Sequence, residues 1–252
     1  MMDFEGVVGD VSRNKPVFHD NNVAWALKER TGARIGVGRS GARPLTSEVL
    51  KFRVDHAAAR DAIYDSVPED VLKRHECVGV ETLAADKGEY LLRPDLGRRI
   101  REEGLETLRR EFPQGETVLI LIGDGLSASA VEANLDDILP SLRTGLERHG
   151  YTAPRPIFIK NARVGVMDHV GEALSPETAV LLIGERPGLI SSESMSAYMC
   201  YKPRFGKTDS DRNVISNIHR GGVPPLEAGA VIADFIHRFL ELKTSGVNVK
   251  GA

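Results

Sequence analysis

Three near-continuous apolar runs set the frame of the chain: Thr117-Val118-Leu119-Ile120-Leu121-Ile122, Pro156-Ile157-Phe158-Ile159 and Ala179-Val180-Leu181-Leu182-Ile183. The first leads into Gly123-Asp124-Gly125 and the third into Gly184. Apolar character without polar alternation predicts strands buried on both faces, the pattern of a parallel sheet. Helical stretches separate them. Ser127 caps a predicted helix running to about His149, where Gly150 stops it and Pro140 breaks or kinks it. A short helix is predicted near Asp168-His169-Val170 and a short strand at Val214-Ile215. The last helix runs from Pro225 to about Thr244, with Ala228, Val231, Ile232, Phe235, Ile236 and Leu240 facing inward. Strands alternating with helices predict a Rossmann-like α/β layer on a parallel sheet.

The N-terminal third reads differently. Residues 1–20 carry Gly6, Gly9 and Pro16 with no sustained period, the pattern of a flexible arm. Asn21 or Asn22 caps a predicted helix through Val23–Lys28 that ends near Gly32. Thr46 or Ser47 starts a long helix whose apolar face is Val49, Leu50, Phe52, Val54, Ala57, Ala58 and Ile63. Pro68 opens a short helix with Glu69 and Asp70 where the dipole favours acids, and Asp95 caps another through Ile100, Leu105, Leu108 and Phe112. The expected organisation is an arm over 1–20, a mostly helical part over 21–100 and the Rossmann-like domain over 101–252.

Four polar, glycine-rich segments interrupt these elements: Gly36–Pro44, Asp124-Gly125-Leu126-Ser127, Gly184–Ser194 and Ser216–Glu227. The last is the most informative. It carries Asn217, His219, two glycines and Pro224-Pro225 directly before a helix, an arrangement suited to close backbone approach by a ligand as well as to capping.

Composition narrows the field. The chain has 252 residues, enough for one large domain or two small ones. It is 41% hydrophobic and 27% charged, as in globular proteins. With 33 basic and 36 acidic residues the net charge is −3, which leaves no nucleic-acid or membrane-surface footprint. Cys77 and Cys200 are too few and too isolated for a disulfide framework, which fits the cytoplasm. No apolar run approaches the roughly 18 residues of a membrane span. The acidic start Met1-Met2-Asp3-Phe4-Glu5 is unlike the basic opening of a secretory signal.

Most familiar catalytic motifs fail on inspection. Gly36-x-Gly38-x-x-Gly41 matches a dinucleotide fingerprint literally, but its strand would be only Ala33-Arg34-Ile35 and Pro44 delays the helix. Gly125-Leu126-Ser127-Ala128-Ser129 lacks the last glycine of a nucleophile elbow; Asp124 and Ser127 read as rim residues at a strand's carboxyl end. His75-Glu76 has Gly79 where a zinc-protease helix needs histidine, and Tyr201 stands where a P-loop needs glycine. No acid–base or nucleophile constellation emerges. Glu185, at the end of a buried strand, reads equally as a ligand-binding carboxylate or as an ion-pair partner of Arg186 or a neighbouring arginine.

Taken in order, the four glycine-rich segments resemble those of the small subunits of ethanolamine ammonia-lyase, an adenosylcobalamin-dependent lyase, and the likeness runs from about Ala33 to about Val249. The resemblance implies a heteromeric enzyme that converts ethanolamine to acetaldehyde and ammonia by radical chemistry. It implies a large barrel subunit that carries the substrate site, and cobalamin contacts on this chain at Val164, Glu185 and Val214. It further implies a cytoplasmic protein, housed in some relatives within a bacterial microcompartment. Asn217-x-His219-x-x-Gly222 is close to the D-x-H-x-x-G of corrinoid carriers, but Asn stands where an orienting carboxylate would be. His219 is therefore expected to hydrogen bond rather than to ligate cobalt. The alternative expectation is a stand-alone corrinoid carrier module.

Overall fold

The computed structural model describes Leu27, Arg30, residues 34–188 and residues 191–249. The arm expected over 1–20 lies outside the described residues, as does the helix expected over Val23–Lys28 apart from Leu27, which is helical. The chain divides into two compact units after Ala57.

In the first unit, β1 (Arg39–Ser40) and β2 (Arg43–Pro44) pair antiparallel around Gly41, whose φ of 60° is the left-handed turn conformation. The dinucleotide-like glycines thus make a hairpin, not a strand-to-helix phosphate loop. Helix α1 (Thr46–Tyr64) follows and crosses the division. Its expected apolar face does not form: Leu50, Phe52 and Val54 are 55%, 44% and 68% exposed. At 3.6 residues per turn, positions two apart lie about 200° apart around a helix. These three side chains therefore cannot share one stripe.

The second unit carries the sheet. Its strands are β3 (Val78–Glu81), β4 (Val118–Gly123), β5 (Ile157–Lys160), β6 (Thr178–Gly184), β7 (Met195–Tyr201) and β8 (Arg212–Ile218). They lie in the order β3-β5-β4-β6-β7-β8, the first four parallel and the last two antiparallel. The apolar runs of β4 and β6 are buried throughout. Val118, Ile120 and Ile122 pack under α5 (Ala128–Arg148) and α7 (Pro225–Leu242), while Leu119 and Leu121 pack under α4 (Glu102–Glu111) and α6 (Val166–Leu174). The period-two alternation of a strand distributes one run between two cores. Two short helices, α2 (Glu69–Arg74) and α3 (Lys87–Leu92), flank β3 in the chain.

Three expectations need correcting. Asp95 precedes only a 3-10 turn at Leu96–Arg98, and α4 starts at Glu102. The intervening backbone pairs with the end of β3 instead, Leu83 N–H donating to Arg99 O at 2.8 Å and Arg101 N–H to Glu81 O at 3.1 Å. Pro140 does not break α5, which runs on to Arg148. Val231 is 43% exposed on α7, and Gly229, Ala233 and Phe239 take the inward positions. Val214-Ile215 is part of a longer strand, and β3 and β7 were not foreseen.

The two faces of the sheet are covered unequally. Met195, Ala197 and Met199 of β7 join the core under α5 and α7. On the opposite face Ser196 and Cys200 of β7 are buried and Tyr198 is half-buried, while Val214 of β8 is 51% exposed. That face is a shelf, closed under most of β7 and open along β8, beside the carboxyl ends of β4, β5 and β6, where α/β sheets bind ligands.

Candidate functional site

The site is built from the loops that leave β4 and β6. Gly125 has φ +54°, and a Cβ there would lie 2.3 Å from Gly184 O. Glycine is therefore required for the two strand ends to interlock, which they do through Leu126 N–H to Gly184 O at 3.1 Å. Ser127 caps α5, accepting from Ala130 N–H at 3.1 Å, and donates to Ser192 O at 2.5 Å. Asp124 accepts from Lys87 Nζ at 3.0 Å and from Ala162 N–H at 3.2 Å. Both were expected on the rim, yet Ser127 is 0% and Asp124 4% exposed. They fasten the central loops from within.

Glu185, the first residue beyond β6, is half-buried. Its N–H donates to Ser194 O at 2.9 Å. Its carboxylate accepts from Ser194 Oγ at 2.6 Å, from Ser196 Oγ and from Asn217 N–H at 3.0 Å. Hydroxyls and a backbone amide hold it, not Arg186. The Asn217 amide is aimed there by a left-handed turn, φ 62°, next to a register shift between β7 and β8. In the same loop His219 Nε2 meets Asn217 Oδ1 at 2.9 Å, and Nδ1 accepts from Gly221 N–H at 3.1 Å. Both imidazole nitrogens are engaged within the loop.

Two adjoining clefts open on the shelf. One, of about 410 Å³, is lined by Glu185, Val164, Tyr198, Ser196, Ser216 and neighbouring groups. The other, of about 570 Å³, shares Arg163, Val164 and Tyr198 with it and extends to Arg98 and Arg212. Val164 stands at their junction. Val214 lines neither, but it is the direct cross-strand partner of Tyr198, so the two side chains stand on the same face. The three residues singled out from sequence are thus gathered around one tyrosine.

Burial, and then the Glu185 charge, raises the Tyr198 pKa. Asp168, beneath the larger cleft, is also raised; desolvation outweighs the lowering effect of Arg212, which donates to Asp168 Oδ2 at 2.6 Å. Burial pushes Cys77 up to about 11 and raises Cys200, so neither thiol is a ready nucleophile. Among the described residues no group of three or more His, Cys, Asp and Glu could hold a metal ion.

Sequence reasoning missed Tyr90, Arg98, Ser196, Tyr198 and Arg212. The signal for two of them was present: Met195-Ser196-Ala197-Tyr198-Met199 alternates apolar with other residues as a half-covered strand does. The arginines carried no such signal, because only the fold brings them together.

The chain matches the ethanolamine ammonia-lyase light chain family (EutC) over residues 21–250. The ethanolamine ammonia-lyase small subunit of Lachnoclostridium phytofermentans is 51% identical over 225 residues, covering 89% of this chain and 76% of that protein. That of Clostridioides difficile is 49% identical over 224 residues, with 89% and 76% covered. That of Clostridium perfringens is 46% identical over 231 residues, with 92% and 78% covered. With the α/β fold and the resemblance of its four glycine-rich segments, these similarities place the chain: it belongs to the ethanolamine ammonia-lyase small-subunit family, as one subunit of a heteromeric lyase.

Proposed function

We propose that this chain, joined to a large subunit, binds adenosylcobalamin on the β7–β8 shelf and supports the conversion of ethanolamine to acetaldehyde and ammonia. The observation that carries the reading is the convergence of Val164, Glu185 and Val214 around Tyr198. The donor set suits a corrin. Val164 and Val214 offer apolar contact, and Glu185 offers an acceptor to side-chain amide N–H groups. When bound, the cofactor supplies the radical chemistry of carbon–nitrogen cleavage. This chain's residues bind, orient and shield it, and the residues that act on substrate belong to the large subunit.

The carrier alternative needs a protein histidine free to reach cobalt, whereas His219 has both nitrogens committed within its loop. Among the described residues no helix is long and apolar enough to cross a membrane. The location that goes with the reading is the cytoplasm.

The test is a titration of the co-purified two-subunit complex with adenosylcobalamin, read by corrin absorption alongside ethanolamine turnover. Val164→Asp and Val214→Asp should each weaken cofactor binding, because each puts a charge where apolar contact is expected. Turnover by this chain alone, or unchanged affinity in both variants, would overturn the reading.

A further inference from the structure

We infer that a cleft at the amino end of the sheet binds a small zwitterion, a molecule with an oxyanion at one end and an ammonium at the other. Arg143 and Glu147 of α5 line it, with Glu76 from the turn before β3 and Thr152 and Arg155 from the loop before β5. Its volume is about 300 Å³. β3 and β5 begin just beyond these residues, at Val78 and Ile157, whereas the shelf lies at the carboxyl ends of the strands.

Arg143 is the uncommitted cation of this cleft. Among the described residues its guanidinium makes no ion pair or hydrogen bond, and its Nε is buried without a partner. The two terminal nitrogens are the donors left to face the cleft. Buried polar groups are ordinarily satisfied, so a guanidinium left unmet by its own fold marks a position completed by something else. Arg155 is different: it donates to Glu111 at 2.9 Å, and its charge is matched.

The two carboxylates are equally unmatched. Arg143 and Glu147 stand four residues apart on α5, the spacing at which unlike charges meet along a helix. On α2 such pairs close, Lys73 reaching Glu69 at 2.8 Å and Arg74 reaching Asp70 at 3.2 Å. On α5 the pair stays open, and Glu76 across the cleft makes no ion pair either among the described residues. Glu76 also sits where a carboxylate is not expected. Its φ of 55° is a left-handed conformation that favours glycine or asparagine after a helix. The turn is closed around it by Glu76 N–H to Lys73 O at 3.0 Å and Cys77 N–H to Leu72 O at 2.9 Å.

Opposite charges held apart across one small cleft select against ligands of a single charge. A lone anion meets Glu76 and Glu147, and a lone cation meets Arg143. A molecule that carries both charges answers to both sides. The guanidinium fork matches the oxygens of a carboxylate or a phosphate. The Thr152 hydroxyl, without a hydrogen bond among the described residues, adds a donor beside it. An amino acid or a phosphorylated amino alcohol has this chemistry, and the volume limits the ligand to about that size.

The test is calorimetric titration of the co-purified complex. Glycine, γ-aminobutyrate and O-phosphoethanolamine are the zwitterionic probes; acetate, inorganic phosphate and ethylamine are the controls of single charge. At least one zwitterion should bind about tenfold or more tighter than every control, and which one it is separates a carboxylate from a phosphate ligand. Arg143→Gln should weaken that probe roughly 10- to 100-fold. Glu76→Gly should weaken it too while raising the urea midpoint of the complex, because glycine suits the left-handed backbone. Ethanolamine turnover should stay within about twofold of the parent in both variants. Absence of zwitterion binding, controls that bind equally well, or affinity retained in Arg143→Gln would overturn the site. Release of the large subunit by Arg143→Gln on size exclusion would overturn it as well, by assigning the cleft to the contact between subunits.

Discussion

Ser194 Oγ donates to Glu185 Oε2 at 2.6 Å, just beyond the last rung of the β6–β7 pairing. With Ser196 Oγ and Asn217 N–H on the other oxygen, three donors fix this carboxylate at the mouth of the smaller cleft. A carboxylate has about four acceptor positions. One remains for a ligand, and its direction is set by the three already in use.

Glu185→Ala should therefore raise the dissociation constant for cobalamin in the complex by about five- to fifty-fold, the loss of one hydrogen bond to a charged group. Ser194→Ala should give a smaller rise, because two donors still orient the carboxylate. Ethanolamine affinity at saturating cofactor should change little in either variant. Cofactor titrations read by corrin absorption measure both; an unchanged affinity in Glu185→Ala would reduce the carboxylate to a fastener between β6, β7 and β8.

How much of this was legible in the sequence depended on how each element is buried. The strands Val118–Gly123 and Thr178–Gly184 announced themselves because helices cover both their faces. Met195–Tyr201 carries only a weak alternation of apolar with small and polar residues, a signal easily passed over beside the two continuous apolar runs. Val78–Glu81 is short and takes its identity from pairing with Ile157–Lys160, a long-range contact. The site divides the same way. Val164, Glu185 and Val214 came from likeness to a family, and Glu185 alone had a local signal, its place at a strand end. The interlock of Gly97-Arg98 with Arg163-Val164-Gly165 joins segments remote in sequence, where no periodicity reaches.

Lys87 is expected to be a structural hinge of the site. Its side chain is 12% exposed, and its ammonium reaches both Asp124 Oδ2 and Gly125 O at 3.0 Å. Lys87→Met leaves a buried carboxylate without its cation and should cost about 3 kcal/mol or more. Lys87→Met combined with Asp124→Leu should recover part of that loss. Urea unfolding of the complex, followed by fluorescence, compares the two; equal destabilisation by the single and double changes would show that the pair is not coupled.

His169 gives stability a pH dependence. Its pKa is lowered from the ordinary 6.5, first by burial and then by the Arg99 charge; Arg109 adds to this, while Glu102 and Glu172 oppose it. Nδ1 accepts from Ile100 N–H at 2.9 Å, and the ring packs at 5.5 Å from Phe205 on the wall of the larger cleft. Below 6.5 the unfolded chain takes up a proton that the folded one resists. The contribution is thus present above that pH and is lost as pH falls toward the depressed folded value. His169→Asn keeps an acceptor for Ile100 without the titration. Urea midpoints at pH 7.5 and about pH 5.5 should differ less in that variant than in the parent; an unaltered difference would assign the effect to other groups.

His219 is expected to leave cobalt to the cofactor's own base. A protein imidazole that ligates metal needs one nitrogen free and the other oriented by a strong acceptor. Here Gly221 N–H occupies Nδ1, which places the proton on Nε2, and that proton goes to the amide oxygen of Asn217 rather than to a carboxylate. Gly222 packs so closely on Asn217 that a Cβ would lie 2.2 Å from its carbonyl oxygen, and Pro224 and Pro225 fix the exit of the loop. Freeing the ring would mean unmaking this turn. Electron paramagnetic resonance of the complex carrying the reduced cobalt(II) cofactor should show nitrogen splitting that follows isotope in the cofactor base. His219→Ala should leave that splitting in place. Splitting that instead followed labelled protein histidine, and vanished in His219→Ala, would make this loop the axial ligand and return the chain to the corrinoid carriers.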